Sequence, residues 1–133
     1  MCASFFNWIS DFLGKRANMS IATYEEVLDL PNHPEKLLID VRGADELAET
    51  GQIPTSVNIP LDHVKKTFSS ETNSEAFVRL HGFAKPSLDH YIIVSCRTGR
   101  RSQMAVDILQ ELCYTNARNY KGSWTEWAAK QGK

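Results

Sequence analysis

Along the chain, short unbroken apolar runs alternate with longer stretches in which apolar residues recur every three or four positions. Leu37-Leu38-Ile39-Asp40-Val41-Arg42 and Tyr91-Ile92-Ile93-Val94 are too short for helices and read as strands buried on both faces. Ser56-Val57-Asn58-Ile59-Pro60 predicts a third strand and Ala117 to Tyr120 a fourth. Between them lie helical patterns. Thr23-Tyr24-Glu25-Glu26 has capping-box form and opens a helix through Tyr24, Val27, Leu28 and Leu30, which Pro31 and Pro34 end. Ala44 to Thr50 is a short helix closed by Gly51, and Leu61 to Phe68 and Ser74 to His81 are two more. Met104, Ala105, Ile108, Leu109 and Leu112 mark one face of the helix after Cys96. Ser123-Trp124-Thr125-Glu126 repeats the capping-box form and opens a last helix through Trp127 to Lys130.

Short apolar strands alternating with helices predict an α/β domain around a mainly parallel sheet. Ligands of such sheets bind beyond the carboxyl ends of the strands. Those ends carry Asp40-Val41-Arg42, Cys96 and Gly122-Ser123, the places where the notable polar residues fall.

With 133 residues the chain is one domain with a short appendage, large enough to bury about two-thirds of its unfolded surface. The division expected is a 1–19 extension and a 20–133 domain. The first twenty residues carry Phe5, Phe6, Trp8, Ile9, Phe12 and Leu13 at helical spacing, followed by Lys15 and Arg16. That stretch is too short and interrupted to span a membrane, and its positive charge follows the apolar part, unlike a secretory signal. An amphipathic or frayed extension is expected, with a cytoplasmic protein the first reading and a mitochondrial one the alternative. A net charge of −1 argues against nucleic-acid binding. The three cysteines, Cys2, Cys96 and Cys113, are odd in number and show no C-x-x-C spacing, so neither a disulfide framework nor a zinc site is expected. A reducing compartment fits them.

The chemistry concentrates at Ser95-Cys96-Arg97-Thr98-Gly99-Arg100-Arg101-Ser102. A buried strand feeding a tight turn at a helix N-terminus aims backbone N–H groups at one point, where the helix dipole also favours negative charge. A cysteine there is held toward thiolate, and Arg97, Arg100 and Arg101 add positive charge beside it. The pattern suits a nucleophilic sulfur that handles anions. Read alone, Cys96 would instead be a small buried hydrophobe.

Four motifs in order, Leu38-Ile39-Asp40-Val41-Arg42, Gly51-Gln52-Ile53-Pro54 through Asn58-Ile59-Pro60, Cys96 through Ser102, and Tyr120-Lys121-Gly122-Ser123-Trp124, resemble the signatures of the rhodanese domain, in particular the small single-domain sulfurtransferases. The likeness runs from about Ser20 to the C-terminus. Gln52 stands where the family often has histidine, and Thr55-Ser56 where it often has Gly-Ala. The resemblance implies a three-layer α/β/α fold with a mainly parallel central sheet. It implies that Cys96 takes a sulfane sulfur from thiosulfate or a low-molecular-weight persulfide, becomes a persulfide, and passes the sulfur to a thiol or cyanide, without a cofactor or metal. The donor would be held by Arg97, Thr98, Gly99, Arg100 and Arg101, with Arg97 and Arg100 attracting it and Arg101 turned inward to order the loop. Asp40 and Arg42 would pair nearby and support that loop, with Gly122, Ser123 and Trp124 at its edge. The partners implied are a small-molecule sulfur donor and a thiol acceptor, and no feature requires more than a monomer. A catalytically weak rhodanese fold used for binding or redox regulation is the alternative.

Loop length separates this from phosphatases of the tyrosine and dual-specificity families, which place an arginine six residues after the cysteine. Here Ser102 occupies that position and Arg101 comes one residue earlier, and a shorter ring of N–H groups fits one sulfur better than a phosphate. Trp127 is expected in the core, His63, His81 and His90 on the surface, and Cys113 buried and inert.

Overall fold

A computed structural model describes residues 20–133; the extension expected over 1–19 lies outside them. Five strands form one sheet, β1 (Ile21–Ala22), β2 (Leu37–Asp40), β3 (Val57–Asn58), β4 (Ile92–Ser95) and β5 (Ala117–Tyr120), in the order β1-β5-β4-β2-β3. Every pairing is parallel. Six helices connect and flank them: α1 (Tyr24–Leu28), α2 (Ala44–Thr50), α3 (Leu61–Phe68), α4 (Ser74–His81), α5 (Arg100–Glu111) and α6 (Ser123–Lys130). The expected α/β/α architecture is the one observed.

The central strands put alternate residues on opposite faces. Ile39, Ile92 and Val94 face a core completed by Val64, Phe68, Phe77, Ala105, Val106 and Leu109 of α3, α4 and α5. Leu38 and Ile93 face the other way, toward Val27, Tyr120, Trp124 and Trp127. Both layers are buried, which is why β2 and β4 read as continuous apolar runs.

Element ends differ from the pattern for identifiable reasons. Strand β2 stops at Asp40 because the Arg42 amide donates to the Asp40 carboxylate at 2.9 Å instead of continuing the ladder. Strand β3 shrinks to two residues; the Ser56 amide closes a turn onto the Ile53 carbonyl, and Pro60 has no N–H to give. Thr23 caps α1 by accepting from the Glu26 amide, as the capping-box pattern predicts. Past Leu28 that helix does not continue to Leu30 but tightens into a 3-10 turn over Leu30–Asn32.

Candidate active site

Cys96 follows the last residue of β4, and what happens to its backbone decides the site. The helix α6 begins beside it, and the first amides of any α-helix lack partners within the helix. Here the Trp124 amide donates to the Cys96 carbonyl and the Thr125 amide to the Arg97 carbonyl, both at 3.0 Å. The Thr125 hydroxyl adds a second bond to the Arg97 carbonyl at 2.9 Å. With these carbonyls drawn toward α6, the following N–H groups turn the opposite way. The Gly99 amide donates to Cys96 Sγ at 3.0 Å, and the Ser102 amide also points at the sulfur.

That turn needs glycine. Gly99 has φ +94°, and a Cβ there would lie 2.2 Å from the Lys121 carbonyl oxygen. Asn119 Nδ2 holds the Gly99 carbonyl from behind at 3.1 Å. Backbone strain and a backbone clash add, so Gly99→Ala is expected to lower unfolding free energy by about 3 kcal/mol. A urea midpoint within error of the parent's would show that the loop relaxes freely.

Burial alone would push the Cys96 thiol pKa up, since the residue is 1% exposed. Donors outweigh it. The buried Ser102 hydroxyl stands 3.3 Å from the sulfur, and with the Ser102 and Gly99 amides it holds the thiol pKa below its ordinary value. Ser123 contributes less. Its hydroxyl proton goes to the Tyr120 carbonyl at 2.7 Å and its oxygen accepts from the Cys96 amide at 3.0 Å, while the sulfur lies 3.8 Å away. For the same reason Ser123 is not the N-cap that the capping-box pattern predicts. The cap is Gly122, and Ser123 is the first helical residue, at φ +52°. Because these donors favour the thiolate over the thiol, reactivity is lost as pH falls through the lowered Cys96 pKa. Ser102→Ala is expected to move the acid limb of a pH profile for alkylation upward, and an unmoved limb would remove the hydroxyl from the account.

The loop side chains separate into two groups. Arg97, Thr98 and Arg100 are exposed and make no ion pair among the described residues. Arg101 instead turns to α2, where its two terminal nitrogens reach the Glu46 carboxylate at 2.7 and 3.0 Å. That contact holds the Glu46 pKa at about 2. Glu46 also accepts from the Gly43 amide at 3.1 Å. The sequence reading missed Glu46, although its place three residues after Gly43 is a capping position. It equally missed the Ser102 hydroxyl as a donor.

Asp40 and Arg42 do pair, but not as an exposed strand-end bridge: both side chains are 1% exposed. The guanidinium bonds Asp40 through Nε and Nη2, and its remaining donors go to Thr50 Oγ1 at 2.8 Å and the Gly51 carbonyl at 3.0 Å. It also lies 5.1 Å over the Trp124 ring. The pair thus fixes the end of α2 and the face of Trp124, while Arg101 and Glu46 tie the cysteine loop to α2. Trp127 is buried in the core as expected.

Three expectations need correction. His81 is not a surface residue; it is half-buried because its ring packs 4.6 Å from Phe77, and burial lowers its pKa. His90 is half-buried too, in the wall of an apolar cleft, whereas His63 is exposed. Cys113 is not buried: it sits half-exposed at φ +75° in the turn that ends α5, and it is not a free thiol. Among the described residues no group of His, Cys, Asp and Glu has metal-binding geometry.

Comparison with known proteins bears on what this loop is. The model of the rhodanese-like domain matches residues 23–130, which takes in every strand except β1 and the whole cysteine loop. The chain belongs to the rhodanese-like family. A rhodanese domain-containing protein of Drosophila melanogaster, CG4456, is 47% identical over 112 residues, covering 84% of this chain and 99% of that protein. The mitochondrial thiosulfate sulfurtransferase RDL2 of Saccharomyces cerevisiae is 35% identical over 114 residues, covering 84% of this chain and 74% of RDL2. Among solved rhodanese structures, the human single-domain sulfurtransferase TSTD1 superposes with a TM-score of 0.76 at 31% identity, over 84% of this chain and 96% of that one. The rhodanese fold, and likeness to its thiosulfate sulfurtransferase members, are therefore established for this chain. No helix among the described residues is long and apolar enough to cross a membrane.

Proposed function

We propose that the protein is a sulfurtransferase that carries sulfane sulfur on Cys96, from thiosulfate or a low-molecular-weight persulfide to a thiol or cyanide. The observation that carries this reading is the convergence of the Gly99 amide, the Ser102 amide and the Ser102 hydroxyl on one sulfur atom. In the first step the Cys96 thiolate attacks the outer sulfur of thiosulfate. A sulfur–sulfur bond to Sγ forms, the bond to sulfite breaks, and sulfite leaves with the electron pair. In the second, an acceptor thiolate attacks the outer sulfur of the persulfide, and Sγ departs as thiolate. The loop amides that hold Sγ in the free enzyme are placed to hold the terminal sulfur, where negative charge resides in the intermediate, as an oxyanion hole holds oxygen.

Two further features favour sulfur over a bulkier group. Cys96 lies at the base of a short loop and is 1% exposed, so a slim terminal atom reaches it where a tetrahedral group would meet the loop first. Arg97 and Arg100, exposed and without an ion-pair partner among the described residues, supply positive charge for a dianionic donor without being needed for packing. Arg97→Ala and Arg100→Ala are each expected to raise the KM for thiosulfate roughly two- to fivefold. Stability should stay within about 0.5 kcal/mol. Kinetics equal to the parent's would take both side chains out of donor binding. The direct test of the whole reading is the intact mass after incubation with thiosulfate, which should rise by one sulfur. We place the domain at 20–133 and the protein in the cytoplasm; RDL2, named as mitochondrial, makes organellar import the alternative to test.

A further inference from the structure

The donor side of the site leaves unexplained a cleft of about 440 Å³ between α3 and α4, lined by Asn58, Ile59, Pro60, Thr67 and Thr72 with His63, Lys66, Leu80 and His81. Its position follows from the register. Asp40 pairs with Ser95 on one side and with Asn58 on the other, so the Asn58 wall of the cleft lies two strand spacings from the cysteine strand, about 10 Å. Both stand at the carboxyl end of the sheet. Strand β3 pairs only with β2, so the cleft runs along an edge with no further strand beyond it among the described residues.

The lining has one chemical bias. His63, Lys66 and Thr67 fall at i, i+3 and i+4 of α3 and therefore share a face. His81 faces them from α4, held there by its contact with Phe77. Among the described residues no carboxylate lines the cleft; Asp62, beside it on α3, lies 3.7 Å from His63. Lys66 has no ion-pair partner among the described residues. Leu80 adds a large apolar side chain that is 71% exposed. A surface with an unpaired ammonium, ring N–H groups and an exposed leucine matches a peptide carrying carboxylates beside an apolar residue.

We propose that this cleft docks an acidic segment of a protein thiol acceptor, whose cysteine then reaches the Cys96 persulfide. The inference rests on the sulfurtransferase reading and adds the class of acceptor to it. An extended chain advances about 3.3 Å per residue, so a cysteine about three residues from the first acidic position spans the distance.

The test uses the full chain, loaded with thiosulfate and freed of excess donor, then discharged by synthetic peptides in single turnover. The peptides are Cys-Gly-Gly-Glu-Leu-Glu and its glutamine counterpart Cys-Gly-Gly-Gln-Leu-Gln. The acidic peptide should reach half-maximal rate at a concentration about two- to fivefold lower, and Lys66→Glu should erase that preference. Leu80→Ser, which leaves the charge in place, should weaken both peptides alike. Equal half-saturation for the two peptides overturns the docking site. So does a preference that survives Lys66→Glu, or faster discharge by glutathione than by the acidic peptide, which would point to small thiols as the acceptors. In each of those cases loading has succeeded and the sulfurtransferase reading stands. Failure to load Cys96 defeats that reading and the docking site with it.

Discussion

Replacing Cys96 with serine is expected to leave a folded protein that takes up no sulfur. The change is nearly isosteric, and the new hydroxyl inherits the donors that face the sulfur, from Gly99 at 3.0 Å and Ser102 at 3.3 Å. Stability should therefore move by no more than about 1 kcal/mol. The chemistry cannot survive, because serine at neutral pH offers no thiolate and forms no stable bond to sulfane sulfur. Turnover should fall at least about a thousandfold. Intact mass after thiosulfate should show one added sulfur on the parent and none on Cys96→Ser. A sulfur adduct retained by the serine variant would place the carrier elsewhere. The absence of any adduct on the parent, with several donors tried, would favour a rhodanese fold kept for binding or regulation.

The second large effect lies in folding. Asp40→Asn is expected to lower unfolding free energy by about 3–5 kcal/mol, because it leaves the Arg42 guanidinium without its counter-charge in the interior. Both side chains are 1% exposed, and neither can swing into water without uncovering the sheet. The damage should extend beyond the pair. Arg42 also holds Thr50 and Gly51, so α2 loses its anchor, and α2 carries Glu46, the partner of Arg101. Replacing both residues by apolar ones of similar volume should cost far less than either change alone. Urea unfolding midpoints of the two singles and the double would settle it. A single-mutant loss under about 1 kcal/mol would mean that the pair behaves like a solvated one.

How far the molecule was legible in its sequence depends on the range of the interactions involved. Strands β2 and β4 were readable because burial on both faces demands an almost unbroken apolar run. The cysteine loop was readable because a glycine at left-handed φ must follow closely on the nucleophile. Strand β1 was not: Ile21–Ala22 is two residues long and exists only through its pairing with β5, nearly a hundred residues away. The Arg101–Glu46 contact was missed for the same reason, being set by how α2 packs and not by local spacing. Ser123 misled because a capping-box spacing says which bonds a hydroxyl can make. It does not say that a tertiary neighbour, the Cys96 amide, will claim that oxygen. His81 shows the converse: its position four residues after Phe77 on one helix was a local signal of burial.

The pairing of β1 with β5 and the hold of α6 on the Cys96 and Arg97 carbonyls bear on biosynthesis. Among the described strands β1 pairs with β5 alone, so that pairing waits until β5 has left the ribosome, and the hold on the loop carbonyls waits for the α6 amides. A nascent chain stalled short of Trp124 would thus present its thiol before any amide cage surrounds it. Premature termination near the C-terminus should yield a product whose cysteine titrates like that of an unstructured peptide.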